Sequence, residues 1–249
     1  MLAIDHFAWT NRWSAHHPAE RLLLAGGLLV LSLVLPPRTG GPLILATASL
    51  AATAGAGIPV SVFLRVMAVP AGFLLTSVPM LALSVDLADG VRFAFSADGL
   101  ATAVSVVLRS LAAVACLALL SLTTPVVDLM MLARRAGLPP VVEELALLIY
   151  HMLFGLLERT AAARRAQAAR QGYADVRRSV RSLGLLAATV FQRALDRGRR
   201  LEIGLAARGY DGALTILSPA RPWSRRRLAL VLAVLAAVTV AGEALPWTL

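Results

Sequence analysis

Apolar positions along this chain come in long blocks separated by short polar joints, without the two-residue alternation of a half-buried sheet. Leu22 to Leu35 is one block, closed by Pro36-Pro37 and extendable backwards through Pro18 to Arg21. Pro42 to Gly57 follows after a tight Pro-Pro-Arg-Thr-Gly-Gly turn, so the two blocks read as a helical hairpin. Val60 to Val85 is longer and carries Pro70 and Pro79, which membrane helices tolerate when neighbours satisfy the freed carbonyls. Leu100 to Leu122 and Leu228 to Leu245 complete the set. A helix needs about 20 apolar residues to cross the hydrocarbon, so the pattern predicts an all-α, polytopic membrane bundle of about five spans.

From Thr123 onwards the pattern changes. Thr124 and Pro125 suit the N-cap and first position of a helix that stops near Gly137, ahead of Pro139-Pro140. A second helix is predicted from Pro140 to Arg170, with Glu143 and Glu144 in its first turn and Gly172 as its C-terminal cap. A third runs from about Ala174 to Arg208 and is stopped by Gly209 and Gly212. Apolar residues recur at spacings of three and four, giving one stripe of Val142, Leu145, Ile149, Met152, Leu156, Ala163 and Ala166. The other holds Val176, Val180, Leu183, Ala187, Val190, Ala194 and Leu201. These stripes predict that the two helices pair. The run from Leu145 to Leu157 is short for a span and has arginines on both flanks. It reads as a helix against the inner face of the membrane or dipping into the bundle, with a sixth short span as the alternative. The predicted organisation is therefore a membrane domain over 1–122, a domain of long amphipathic helices over 123–220 and a C-terminal span over 221–249.

Composition agrees: 58% of the residues are hydrophobic and 15% charged, which excludes a water-soluble fold. All 24 basic residues are arginine, so the net charge of +10 cannot be relieved by deprotonation. In a membrane protein the positive-inside bias accounts for that charge without nucleic acid as a partner. Residues 159–227 hold 16 arginines, whereas the 85–99 connection holds Asp86, Asp89 and Asp98 against Arg92. The arginine-rich part is thus expected in the cytoplasm, together with the N-terminus, whose Asp5, His6, Trp9 and Arg12 lack the layout of a cleaved signal peptide. Cys116 is the single cysteine, which excludes an internal disulfide and suits small-residue packing.

The basic stretch contains one unusual repetition. Ala-Ala-Arg-Gln-Gly-Tyr occupies residues 168–173 and Ala-Ala-Arg-Gly-Tyr-Asp residues 206–211, each at a predicted helix end. Alanines keep the helix end slim, the glycine lets the chain leave in a left-handed turn, and arginine offers five forked donors for a carboxylate. One such arginine would merely complement the helix dipole, but two in the same context read as a pair of docking pins.

On these residues the chain resembles the transmembrane T component of energy-coupling factor (ECF) importers, and within it the CbiQ-type cobalt subunit. The resemblance rests on Ala169, Arg170 and Gln171, with Gly172 following; on Ala207, Arg208 and Gly209; on Leu-Thr-Thr-Pro-Val-Val-Asp-Leu-Met and Ala-Gly-Leu-Pro-Pro from Leu122 to Pro140; and on Ile-Asp, Thr-Asn-Arg-Trp and His-Pro in the first 18 residues. Gln171 and His151 depart from the family pattern, where glycine and arginine are usual. The resemblance implies a multi-pass protein of the bacterial inner membrane that binds no metal and no cofactor. Its implied partners are two ABC-type ATPase subunits, each taking one arginine-tipped helix end, a metal-binding membrane S component, and a small accessory membrane subunit.

Other chemistry is thin. No G-x-x-x-x-G-K-[ST] loop occurs, so the chain itself is not expected to hydrolyse ATP or to be an enzyme. His6, His16 and His17 lack carboxylate or cysteine company and read as solvated or interfacial rather than metal ligands. Arg65 is expected to snorkel, whereas Arg109 is expected to face protein and is a candidate contact for the substrate subunit. The competing class is an integral membrane enzyme acting on phosphate-containing lipids, for which Asp175, Asp196 and Asp211 are too scattered.

Overall fold

The computed structural model describes residues 3–86, 92–95, 97–210 and 221–244. The chain forms two compact units, one made of residues 2–129 with the returning stretch 220–249, the other of residues 130–219.

The first unit contains α1 (Ala3–Thr10), α2 (Pro18–Val34), α3 (Pro37–Leu50) running on into a π-helical turn (Ala51–Gly55), α4 (Val60–Ala82), α5 (Ala97–Thr123), the start of α6 (Val126–Arg135), and α9 (Arg225–Ala244). Helix α2 starts on a cap that the sequence hides: the His17 imidazole Nδ1 accepts from the Ala19 backbone N–H at 3.2 Å, and Pro18 follows in the first turn, where its missing donor matters least. His17 is therefore a buried capping residue, not a solvated one. The expected turn at Pro36–Gly41 is instead the opening of α3. Pro37 sits where a helix tolerates proline, and Pro42 is carried inside at the loss of one internal hydrogen bond. Helix α4 likewise continues through Pro70 and Pro79.

Helix α5 is central, packing against α2, α3 and α4. Its inward positions Ala112, Ala115, Cys116 and Leu119 meet Leu28, Ile44 and Ala48, and the small side chains bring the backbones close, the usual means of association in lipid. Away from this core α4 exposes Val69, Phe73, Leu75 and Met80, a face suited to hydrocarbon. Four described helices, α4, α5, α7 and α9, are long and apolar enough to cross a membrane, and α2 with 17 residues reaches the lower end of the spanning range of about 17–25. The protein is a multi-pass membrane protein. Between α4 and α5, where an acidic loop is expected, β1 (Leu83–Asp86) and β2 (Arg92–Phe95) pair antiparallel with Leu83 opposite Phe95. Asp89 lies outside the described residues.

One end of this unit gathers several chain segments. The Asn11 amide donates to the carbonyls of Ala8 at 2.7 Å and Thr123 at 3.2 Å, so it holds the end of α5. The Arg12 backbone N–H donates to Ala56 at 3.0 Å, and the Trp13 ring lies directly on Gly55, where an added Cβ would come within 2.5 Å of it. The start of α9 joins them: the Ser224 N–H donates to Glu20 Oε1 at 3.0 Å, and the Trp223 ring meets His17 edge-on.

The second unit holds most of α6, then α7 (Pro140–Ala169) and α8 (Val176–Ala206), which pack on each other. Helix α6 ends at Gly137, whose φ of +105° closes the turn. Helix α8 starts on Asp175, whose carboxylate accepts from the Arg178 backbone N–H at 2.7 Å. The two helices pair as expected, but the stripes are only partly used: Met152, Leu156, Ala163, Val190, Ala194 and Leu201 are half-buried, whereas Val142, Leu145, Ile149, Val176, Val180 and Leu183 are exposed and Leu147 and Leu186 are buried beside them. As a single 30-residue helix, α7 also has more apolar length than the 145–157 run suggests.

Candidate functional site

The two arginine motifs end their helices in the same way. At the end of α7, the Gln171 N–H donates to Ala168 at 3.0 Å and the Gly172 N–H to Gln167 at 2.9 Å; at the end of α8, the Gly209 N–H donates to Ala206 and the Tyr210 N–H to Leu205, both at 3.1 Å. These are Schellman closures with identical spacing. In each, one residue after the arginine is left-handed: Gln171 at φ +58° and Gly209 at φ +74°. Gln171, which departs from the family pattern, therefore adopts the glycine-like conformation itself. The cap expected at Gly172 lies one residue earlier.

Gly172 is needed for space instead. A Cβ there would come within 2.8 Å of both the Gln167 carbonyl oxygen and Ser182 Oγ. Around it the α7–α8 turn is stitched: Ser182 Oγ donates to the Gly172 carbonyl at 2.8 Å, Gln167 Nε2 to the Ser182 carbonyl at 3.2 Å, and the Tyr173 hydroxyl to Gln167 Oε1 at 2.7 Å. The tyrosine of the other motif also anchors its tip. Tyr210 donates to the Glu144 carboxylate in the first turns of α7, while Arg134 Nη1 holds the neighbouring Glu143 at 3.0 Å. Ala169, Arg170, Ala207 and Arg208 all remain exposed, so each arginine stands on a braced tip with its charged head in solvent. Between the same two helices, Arg159, Arg193, Arg197 and Arg200 surround a cavity of about 200 Å³, with Arg197 crossing over Gly155.

A second polar centre lies in the first unit. Arg21 Nη2 donates to Asp128 Oδ2 at 2.8 Å, Arg221 pairs with the same carboxylate oxygen, and Arg21 Nη1 donates to the Thr123 carbonyl. Asp128 follows the end of α5 and Arg221 precedes α9, so one buried carboxylate ties down the chain where it leaves this unit and where it returns. Sequence reasoning missed this junction, although Asp128 lies in a quoted motif. Nearby, burial, then the Arg227 and Arg21 charges, push the His16 imidazole below its ordinary value, while Glu20 opposes them. Arg109 turns inward and donates to the Leu35 carbonyl at 3.3 Å, at the end of α2, where a cation complements the helix dipole. Arg65 is exposed near the start of α4. Among the described residues no group of three or more histidine, cysteine, aspartate or glutamate side chains is placed to share a metal ion.

Comparison with known proteins bears on this arrangement. The family described as CbiQ, cobalt transport protein, matches residues 10–219, from the Asn11 clamp through the Asp128 junction to both arginine tips. The chain belongs to the CbiQ family. It is 38% identical over 240 residues to the cobalt transport protein CbiQ of Rhodobacter capsulatus, covering 96% of this chain and 97% of that one. It is 32% identical over 222 residues to the Salmonella typhimurium CbiQ, with 85% and 98% covered. A putative fused cobalt transport protein CbiMQ of Methanocorpusculum labreanum is 29% identical over 125 residues, half of this chain and 21% of that longer one. In this CbiQ-family chain the N-terminal Thr-Asn-Arg-Trp and His-Pro steps have structural duties, as clamp on α5 and cap on α2, whereas the arginines at the two tips are exposed.

Proposed function

We propose that this chain is the membrane coupling subunit of an ECF-type importer for cobalt ions. In this reading the unit 130–219 lies on the cytoplasmic side, and the tips at Ala169, Arg170, Gln171 and Gly172 and at Ala207, Arg208 and Gly209 each seat in a groove of one of two ABC-type ATPase subunits. Closure of the ATPases on ATP moves the tips, and the α7–α8 pair passes that motion to a separate metal-binding membrane subunit. The observation that carries the proposal is the repeated helix closure: two braced helix ends, each presenting one exposed arginine immediately before a left-handed residue. A tip that must transmit force needs a fixed backbone and a charge that a carboxylate can grip in two places. The basic face of Arg159, Arg193, Arg197 and Arg200 supports an acidic partner surface, and the fused CbiMQ relative supports a second membrane component in the assembly.

The test is co-purification with the cognate ATPases alongside cobalt uptake in the same cells, for the unmodified chain, Arg170→Ala, Arg208→Ala and the double substitution. Loss of one desolvated arginine contact should weaken association by roughly 2–5 kcal/mol. If the double substitution left complex and uptake intact, the tips would be simple helix caps.

A further inference from the structure

The cavity of about 200 Å³ between α7 and α8 is bordered by four arginines, with Leu156 as its apolar member. Arg193, Arg197 and Arg200 are spaced four and three apart, which puts them on one face of α8, and Arg159 meets them from α7. Like charges at these spacings repel, so arginines on an ordinary solvated face splay their heads apart into water. Here the four heads surround one space.

The local sequence makes room for them. Helix α7 carries a single glycine, Gly155, at an interior position where glycine lowers helix stability. A Cβ there would come within 2.9 Å of Arg197 Nη1 and 3.4 Å of its Cζ. The glycine therefore lets the Arg197 guanidinium lie across the α7 backbone. Arg197 is half-buried, and Arg159, Arg193 and Arg200 are exposed, so the donors are open to a ligand that enters from solvent.

This charge is not answered within the protein. Among the described residues none of the four arginines forms an ion pair or a hydrogen bond, although Glu158, Asp196 and Glu202 are close in sequence. Arginine cannot relieve the repulsion by losing its proton, so an anion held between the heads is what relieves it.

We propose that the cavity binds a phosphate dianion, either free phosphate or the phosphate monoester head group of a membrane lipid. A carboxylate offers two oxygens in one plane and is satisfied by a single guanidinium fork. A phosphate monoester carries about −1.5 to −2 charge at pH 7 and presents its acceptor oxygens tetrahedrally, which suits several forks arriving from two helices. A water molecule takes about 30 Å³ of liquid volume, so the cavity has room for such a group with part of its hydration. Bound there, the anion bridges α7 to α8.

Two arms of one experiment test this. The full chain in detergent is dialysed to equilibrium against inorganic phosphate at constant ionic strength, and the full chain in phosphatidylcholine nanodiscs with a minor fraction of phosphatidic acid is released into native mass spectrometry. One phosphate group per chain is expected in at least one arm, and the arm with the tighter binding identifies the source. The double substitution Arg193→Gln and Arg197→Gln should lower that binding by about tenfold or more, the scale of one lost charge-assisted hydrogen bond. The charge-matched pair Arg164→Gln and Arg165→Gln, on α7 but outside the cavity lining, should leave it unchanged. Gly155→Ala removes no charge and favours the helix, so it should keep or raise the melting temperature without phosphate while still weakening binding. Binding in neither arm, or equal loss from the two double substitutions, would overturn the proposal and leave the four arginines to the acidic partner surface alone. Arg170 and Arg208 are intact in every variant, so this result is independent of the docking test.

Discussion

Arg21 and Asp128 stand 107 residues apart and meet at 2.8 Å, each with only 2% of its side chain exposed. Arg221 approaches the same carboxylate from the other end of the chain, and is less deeply enclosed. A buried ion pair is a modest source of net stability, because desolvation offsets the attraction, but removal of one partner leaves the other charge stranded.

Asp128→Asn should therefore destabilise the protein by about 3–5 kcal/mol, with Arg221→Ala costing clearly less because Arg21 still satisfies the carboxylate. Thermal unfolding in detergent gives both values. A double cycle of Arg21→Met and Asp128→Leu should be strongly non-additive; additive losses would mean that the pair does not interact.

The tip geometry makes an asymmetric prediction. Gln171 has a left-handed φ that costs a non-glycine residue about 1–2 kcal/mol, so Gln171→Gly should be neutral or stabilising once the extra freedom of glycine in the unfolded chain is counted. Gly209→Val should be destabilising by about 1–2 kcal/mol, and more if the α8 tip must be rebuilt. A loss for Gly209→Val without any loss for Gln171→Gly in one melting series checks the closures directly.

Gly55 faces the Trp13 ring with no room for a side chain. Gly55→Ala should cost about 1–3 kcal/mol through overpacking, and most of that loss should be recovered by adding Trp13→Leu. Failure of the second change to compensate would mean that the clamp is not seated as described.

The lowered affinity of His16 for a proton sets a pH dependence. The folded state favours the neutral ring, so the stability linked to it is fully present above the ordinary value of 6.5 and declines as pH falls below that value towards the depressed folded one. Melting temperatures from pH 8 to pH 5 should show a decline that His16→Gln reduces. The groups facing this ring are Glu20, Arg21 and Arg227, of which only Glu20 favours the charged form.

The parts of this structure that depend on local chemistry were legible in the sequence. The membrane helices follow from apolar blocks, Gly137 marks a helix end, and the Ala-Ala-Arg repetition leads to equivalent closures on α7 and α8. What was not legible depends on partners distant in the chain. Asp128 looks like an ordinary first-turn carboxylate until Arg21 and Arg221 arrive from 107 and 93 residues away. The contacts of Gln167 with Ser182 and of Tyr210 with Glu144, which hold the α7–α8 pair, escaped for the same reason, since no period records them. His17 escaped because a histidine cap is unusual beside the serine, threonine, aspartate and asparagine that normally mark a helix start.

The hydrogen bond from Tyr210 to Glu144 joins positions 66 apart in the chain, linking the residue just past Gly209 to the foot of α7. An open fork would let its two prongs bend separately, so that a push on one could be absorbed by flexing. A closed frame shares the load: displacement at Arg208 reaches the foot of α7 through a single side-chain contact, without having to travel back along the whole of α8.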